Sequence, residues 1–238
     1  MIVSAHQPHF FPWIGYLNKI HLSDIFMIMD NMYFTNEGYI ARNRIVGTKG
    51  IQYINVPVRK LHGLNTKISE LEIEKRTRAN WNTKLLRKLK HNYYQGEGFD
   101  CFFPLIEDVL LSNWDTYFEL SYQIITVILA YLKIDVTVMK ASRKNTKGAK
   151  ENELIFNILK DSSCDSILLG LGASVNYVDI NLLKTNGYNV YGQELSHPIY
   201  PQKSKNFIPG LSSLDLLLNV KQQAAIDIVK NCGRIKTL

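Results

Sequence analysis

Ile2-Val3-Ser4-Ala5-His6-Gln7-Pro8-His9-Phe10-Phe11-Pro12-Trp13-Ile14-Gly15-Tyr16-Leu17-Asn18-Lys19-Ile20-His21-Leu22-Ser23-Asp24-Ile25-Phe26-Met27-Ile28-Met29 is the stretch whose reading decides the fold. Ile2 to Ala5 is a short apolar run of strand character. Trp13, Tyr16, Leu17 and Ile20 then recur on one face of a helix from Trp13 to Leu22, and Ile25 to Met29 is apolar again over strand length. Strand, helix and strand in that order make a βαβ unit, whose right-handed crossover leaves the two strands parallel. The loop after the first strand and Asp30 at the end of the second therefore share one sheet edge.

Outward from this unit, Tyr39 to Val46 and Ile51 to Val58 read as strands joined by Gly47-Thr48-Lys49-Gly50, the composition of a hairpin turn. Lys75 to His91 places Leu85, Leu86 and Leu89 at helical spacing, and Trp114 to Leu132 repeats apolar residues every three or four positions. Residues from about 75 to 133 are thus expected as a helical insertion. Asp135 to Met139 returns to strand, Lys150 to Asp161 to helix and Ser166 to Leu169 to strand. Gly170-Leu171-Gly172-Ala173 is expected to open a helix to about Thr185, which Gly187 ends before a strand at Tyr188 to Tyr191. Ser212 to Lys230 reads as closing helices. The expected class is α/β: one domain over residues 1–238, a mostly parallel sheet with flanking helices, a β-hairpin and the helical insertion.

Composition agrees with a packed globular chain: of 238 residues 46% are hydrophobic and 21% charged, which excludes disorder and collagen-like repeats. The longest apolar stretch, Ile124 to Leu132, falls short of the roughly 18 to 20 residues a membrane span needs. The N-terminus lacks a charged segment followed by an apolar one, so no secretory signal is read and a cytoplasmic location is expected. Cys101, Cys164 and Cys232 are widely spaced and form no CxxC pair, which points away from disulfides and structural zinc. The net charge of +7 suits nucleic acid, an anionic membrane face or a polyphosphate substrate, and does not choose among them.

Five segments carry candidate chemistry. In the loop after the first strand, His6 is a candidate general acid or base. Gln7 sits beside it, and Trp13 and Tyr16 offer aromatic walls, although the aromatics and prolines would also pack a tight turn. Arg42-Asn43-Arg44, on a strand, puts two guanidinium forks on one face, able to clamp a phosphate or carboxylate, or simply to face solvent. Asp30 is a candidate carboxylate base or a turn residue. Gly170, Gly172 and Ala173 read as a turn whose N–H groups approach an anion, but the third glycine of a dinucleotide fingerprint and the lysine of a P-loop are absent. His197-Pro198-Ile199-Tyr200-Pro201-Gln202 offers His197 as a second titrating group and Tyr200 as a ring to stack or donate a hydrogen bond. The basic segment with Lys75, Arg76, Arg78, Lys84, Arg87, Lys88 and Lys90 could track a phosphate backbone, but it matches no nucleic-acid module, and nucleic acid is not the expected partner. No HExxH or tight His/Asp cluster occurs, and no metal is expected.

Taken together, His6-Gln7-Pro8 through Pro12-Trp13-Ile14-Gly15-Tyr16, Arg42-Asn43-Arg44-Ile45, Gly170-Leu171-Gly172-Ala173, His197-Pro198-Ile199-Tyr200-Pro201-Gln202 and Pro209-Gly210-Leu211-Ser212 resemble the WbqC-like family, from Ile2 to about Asn219. The chain departs from the family pattern at Leu216-Leu217-Leu218-Asn219-Val220, where a phenylalanine-asparagine-glutamate-glycine close is usual. The resemblance implies a place in bacterial O-antigen or other surface-polysaccharide (lipopolysaccharide) biosynthesis, and a transferase acting on a nucleotide-linked amino sugar by N-acylation. The acyl donor is then a thioester of CoA or of an acyl carrier protein. On this reading His6 is the base, Asp30 or His197 its partner or alternative, Arg42 and Arg44 hold the sugar diphosphate or the carrier phosphate, the Gly170–Gly172 turn holds a phosphate, and Trp13 and Tyr200 stack on the base or sugar. The order of elements also resembles the nucleotidyltransferase group that includes pantothenate synthetase, which implies ATP-dependent amide ligation as an alternative, although Pro12-Trp13-Ile14-Gly15-Tyr16 stands where that group carries His-x-Gly-His. A non-catalytic nucleotide-sugar-binding protein is the remaining alternative. The oligomeric state is left open.

Overall fold

The computed structural model describes residues 1–36, 38–47, 50–75, 80–143, 151–172 and 178–238. The opening βαβ unit forms as read: β1 (Ile2–His6), α1 (Ile14–His21) and β2 (Ile25–Ile28), with β1 and β2 parallel and His6 level with Ile28. Next come the hairpin strands β3 (Arg42–Gly47) and β4 (Gly50–Asn55), then β5 (Val58–Arg59) paired with β6 (Glu72–Ile73). The hairpin turn residues Thr48 and Lys49 lie outside the described residues. Three helices follow, α2 (Trp81–Tyr93), α3 (Phe99–Leu111) and α4 (Tyr117–Tyr131), so the insertion sits between the second and third strands of the main sheet. The chain continues through β7 (Thr137–Lys140), α5 (Glu151–Ser162), β8 (Ser166–Gly170), α6 (Ile180–Thr185), β9 (Asn189–Leu195), α7 (Ser213–Asn219), α8 (Gln222–Asn231) and β10 (Gly233–Thr237).

The main sheet has the order β10-β9-β8-β1-β2-β7, all parallel except β10, which runs antiparallel to β9. Counted by first appearance this is the doubly wound order 3-2-1-4-5-6. Its direction of winding reverses between β1 and β8, and ligands bind outside the carboxyl ends of the strands at such a reversal. Alternation along β2 separates the two layers: Phe26 and Ile28 join α1 and the helical insertion in one core, while Ile25 and Met27 join Val3, Ile167 and the α5 residues Ile158 and Leu159 in the other. A buried amide network fastens α1 to the far strands. Gln193 donates to the Gly15 carbonyl (2.9 Å) and to Asn18 Oδ1 (2.7 Å), and Asn18 donates to the Val229 carbonyl (2.9 Å).

Three local expectations change. Tyr39 to Ala41 stay out of β3. Within the expected insertion a further helix, α3, forms between the two read from the sequence, its Phe99, Phe102, Phe103 and Ile106 packing into the insertion core. The helix expected to open at Gly170 starts at Ile180 instead: Gly170 is the last residue of β8 and Gly172 lies in the turn after it, while Ala173 lies outside the described residues. Gly187 does end α6, with φ +85°, which only glycine adopts freely. At the start of α4 the Thr116 hydroxyl accepts from the Glu119 N–H while Glu119 reaches back to the Thr116 N–H. Thr116→Ala is expected to lower stability by about 1 kcal/mol, a fall in Tm of about 2–4 °C for a chain of this size, read by thermal unfolding.

Candidate functional site at the sheet reversal

Pro8, which has no N–H to continue the ladder, ends β1, and the chain turns into the aromatic loop before α1. The loop is held from outside. Phe10 N–H donates to the Ile40 carbonyl (2.8 Å), Asn43 Nδ2 donates to the carbonyls of Phe10 (3.0 Å) and Phe11 (2.8 Å), and Ser212 Oγ also donates to Phe11 (3.0 Å). Phe11 needs this support because its φ of +47° is a left-handed conformation that a bulky residue avoids, and such strain persists only where surrounding bonds fix it. Ser212 N–H donates to the Arg44 carbonyl (2.9 Å) and Ser213 N–H to the Pro12 carbonyl (3.0 Å). The loop after β1, strand β3 and the segment before α7 are thereby stitched together.

Between the carboxyl ends of β1 and β8, with α5 as the facing wall, lies a cavity of about 630 Å³. Its polar lining among the described residues is His6, Gln7 and Lys19, and the rest is apolar: Met29, Met32, Leu154, Ile158 and Leu169 among others. His6 Nδ1 lies 3.0 Å from the Gln7 carbonyl; a carbonyl only accepts, so Nδ1 carries the proton and Nε2 keeps its lone pair. The His9 ring stands edge-on at 4.6 Å and Tyr16 at 4.9 Å, with the Tyr16 hydroxyl donating to the same Gln7 carbonyl (3.2 Å). Lys19 is buried and donates through Nζ to the Ala5 carbonyl (3.1 Å).

Removal from water disfavours charge on each of these groups. Burial holds His6 well below the ordinary imidazole range, assisted by the His9 and Lys19 charges, and burial brings His9 down to about 4. Burial also lowers the Lys19 ammonium to about 8 and pushes the Tyr16 phenol up. At neutral pH the cluster therefore holds neutral imidazoles beside one weakly held proton. The unfolded chain takes up a proton on His9 near pH 6.5, whereas the native chain does so only near 4, so stability falls as pH drops through that window. His9→Gln is expected to flatten the fall in Tm between pH 6.5 and 4, measured by thermal unfolding across that range.

Among the described residues, the other expected ones do not line the cavity. Arg44 donates from Nη2 to the Gly210 carbonyl (3.1 Å) and lies 5.6 Å from the Tyr39 ring, while its buried Nε has no partner. Arg42, two residues earlier on the same strand face, is exposed, donates to the Gly38 carbonyl (3.1 Å) and lies over Tyr53 at 5.6 Å. Each guanidinium thus has its own local partners. Asn43 is scaffold, as its two bonds to the loop show. Trp13 folds back over Gly15, where a Cβ would meet the indole at 2.3 Å, and stacks toward His197 with ring centres 6.5 Å apart.

His197 uses both nitrogens inside its own loop: Nδ1 donates to the Pro198 carbonyl (3.0 Å), and Nε2 accepts from Gly210 N–H (2.9 Å). Its ring neighbours are Trp13 and Phe207, those of His6 are His9 and Tyr16, so the two imidazoles belong to different clusters. Tyr200 is buried edge-on against Phe207 at 5.3 Å, which leaves no face for a ligand ring. Asp30 is buried, with Oδ1 accepting from Ser142 N–H (2.8 Å), and it anchors the turn after β7. Among the described residues the next helix after Gly170 and Gly172 is α6, which begins at Ile180 with Asp179 bonded to Leu182 N–H (3.0 Å).

The residues that sequence reasoning missed are Lys19 and His9. Lys19 falls one turn after Tyr16, beside the stripe of Trp13, Tyr16, Leu17 and Ile20, and a lysine on the edge of a buried stripe was the available signal. Among the described residues no group of three or more His, Cys, Asp or Glu side chains is arranged to hold a metal ion, and no helix is long and apolar enough to cross a membrane.

The uncharacterized protein Rv1507c of Mycobacterium tuberculosis is 27% identical over 232 residues, covering 97% of this chain and 98% of that protein. The description of the WbqC-like protein family matches residues 7–227, a span that opens at Gln7 beside the cavity and takes in α1, the β3–β4 hairpin, the His197 loop and α7. Because the match runs over residues 7–227, most of the chain, the chain belongs to the WbqC-like protein family.

Proposed function

We propose that the chain is a transferase of surface-polysaccharide assembly that acylates the amine of a nucleotide-linked sugar from a thioester of CoA or a carrier protein. The observation that carries this reading is the cavity at the sheet reversal, where a neutral His6 with its Nε2 lone pair sits beside Lys19. The family resemblance supports the polysaccharide setting and the amino-sugar substrate. Acyl transfer to an amine needs a base for the amine proton and a donor for the tetrahedral oxyanion.

His6 Nε2 takes the proton as the amine nitrogen bonds to the thioester carbon. Lys19 Nζ stabilises the oxyanion. The C–S bond then breaks, and His6 returns the proton to the departing thiolate, giving amide and free thiol. Arg44, whose buried Nε is unpartnered, holds the sugar diphosphate at the rim, and Trp13 lies along the nucleotide.

The test incubates the protein with a panel of nucleotide-linked amino sugars and acyl-CoA thioesters, following thiol release and the mass of the sugar product. One acyl mass gained per thiol released is the expected result. AMP formed with ATP and a free acid would replace transfer by ligation. Tight sugar binding without turnover would make the chain a binding protein.

A further inference from the structure

The cavity walls are unlike a sugar site. Leu154, Ile155 and Ile158 of α5, Ile167 and Leu169 of β8, and Met29 offer no hydrogen-bonding side chain, and the polar groups His6, Gln7 and Lys19 gather at the tip of β1. A sugar placed there would leave its hydroxyls without partners against α5, a loss of about 1–3 kcal/mol for each group left unpaired. An apolar chain with one polar head fits the same division. Lys19 adds a condition on the head. It enters none of the ion pairs among the described residues, and no carboxylate lines the cavity among them. Its one bond, to the Ala5 carbonyl, leaves two ammonium hydrogens for an oxygen brought by a ligand.

Size narrows the chain. The cavity, at about 630 Å³, is about four times the ~150 Å³ that encloses a benzene-sized ligand. An acetyl group would leave most of this apolar surface uncovered, whereas a chain on the order of ten carbons covers it.

We infer that this cavity is the acyl subsite, built for a long apolar acyl group whose carbonyl oxygen meets Lys19 Nζ beside His6, with the nucleotide-linked sugar outside at the Arg44 rim. The inference rests on the acyl-transfer reading and names its donor: a long-chain acyl thioester in place of acetyl.

The experiment has two arms. In the first, butanoate, hexanoate, octanoate and decanoate are titrated by calorimetry, with decanol as the headless control. Affinity is expected to rise about 3–4-fold per methylene as each is buried. Lys19→Met is expected to weaken decanoate at least 10-fold and leave decanol unchanged. Leu154→Trp, at a partly exposed wall position, is expected to weaken decanoate at least 10-fold and spare butanoate, with Met32→Trp as a second filling variant should the first fail to fold. In the second arm, sugar acylation is compared for acetyl-CoA and decanoyl-CoA.

Chain-length-dependent binding without sugar acylation would retain the apolar acyl subsite and overturn the transfer reading. Transfer that proceeds equally with acetyl and decanoyl, unchanged by Leu154→Trp and Met32→Trp, would retain transfer and overturn the subsite. Affinity that does not vary with chain length overturns the subsite on its own.

Discussion

His6→Gln is expected to slow sugar acylation by about 10²–10⁴-fold, the range a positioned general base supplies. Glutamine occupies similar space and can still donate to the Gln7 carbonyl, but it has no basic nitrogen in place of Nε2, so folding is retained while proton transfer is lost. Turnover is the sensitive quantity: on the proposed mechanism His6 acts on the departing proton and not on the sugar, so KM should move far less than kcat. Steady-state thiol release, with Tm as the check on folding, reads both. His197→Gln is the contrasting variant. It breaks the bond to Gly210 and loosens the rim loop, so its effect is expected on the KM for the sugar and not on the proton-transfer step.

Asn43→Ala is expected to be the most destabilising of the single changes near the site. It removes two donors from the Phe10 and Phe11 carbonyls in a region closed to water, which costs about 3 kcal/mol when the loss of two bonds is combined with buried acceptors left unpaired. For a chain of this length that is a fall of roughly 6–12 °C in Tm. Phe11 would at the same time lose part of the restraint on its left-handed backbone, so the His6 loop loosens with it. Arg42→Ala, one residue away but exposed, is expected to stay within about 0.5 kcal/mol of the parent. Thermal unfolding of the pair separates a scaffold role for Asn43 from general sensitivity of the hairpin.

The βαβ units were legible because their information is local: apolar runs of strand length on either side of a periodic stripe fix β1, α1 and β2, and Gly187 marks the end of α6 by its need for positive φ. Strand β10 was not, because Gly233 to Thr237 is mostly exposed and earns its place only by pairing with β9, a contact the chain reveals after folding. The site was legible as segments. His6 and Gln7 line the cavity at the sheet edge where the sequence puts them, Trp13 and Tyr16 follow at the start of α1, and Arg44 and His197 lie in segments bonded to or packed on that loop. Their roles were not legible, because whether a polar side chain is free or committed depends on partners distant in sequence. Asn43 reaches Phe11, Asp30 reaches Ser142, and His197 reaches Gly210. Lys19 escaped for the opposite reason: on the edge of the α1 stripe a lysine reads first as solvent-facing, and only its bond at the tip of β1 and the burial around it make it part of the cavity.

The measurement that bears most directly on the site is the pH profile of kcat/KM for sugar acylation in the parent and in Lys19→Met. On the proposed mechanism His6 acts in its neutral form, and its proton is held below the ordinary imidazole value of 6.5, so activity should rise with pH on a limb that lies below 6.5. The same mechanism uses Lys19 in its charged form, so activity should fall as pH rises through about 8, and that limb should vanish in Lys19→Met. A flat profile from pH 5 to 9, or one that keeps its alkaline limb in Lys19→Met, would contradict the assignment of chemistry to this cavity.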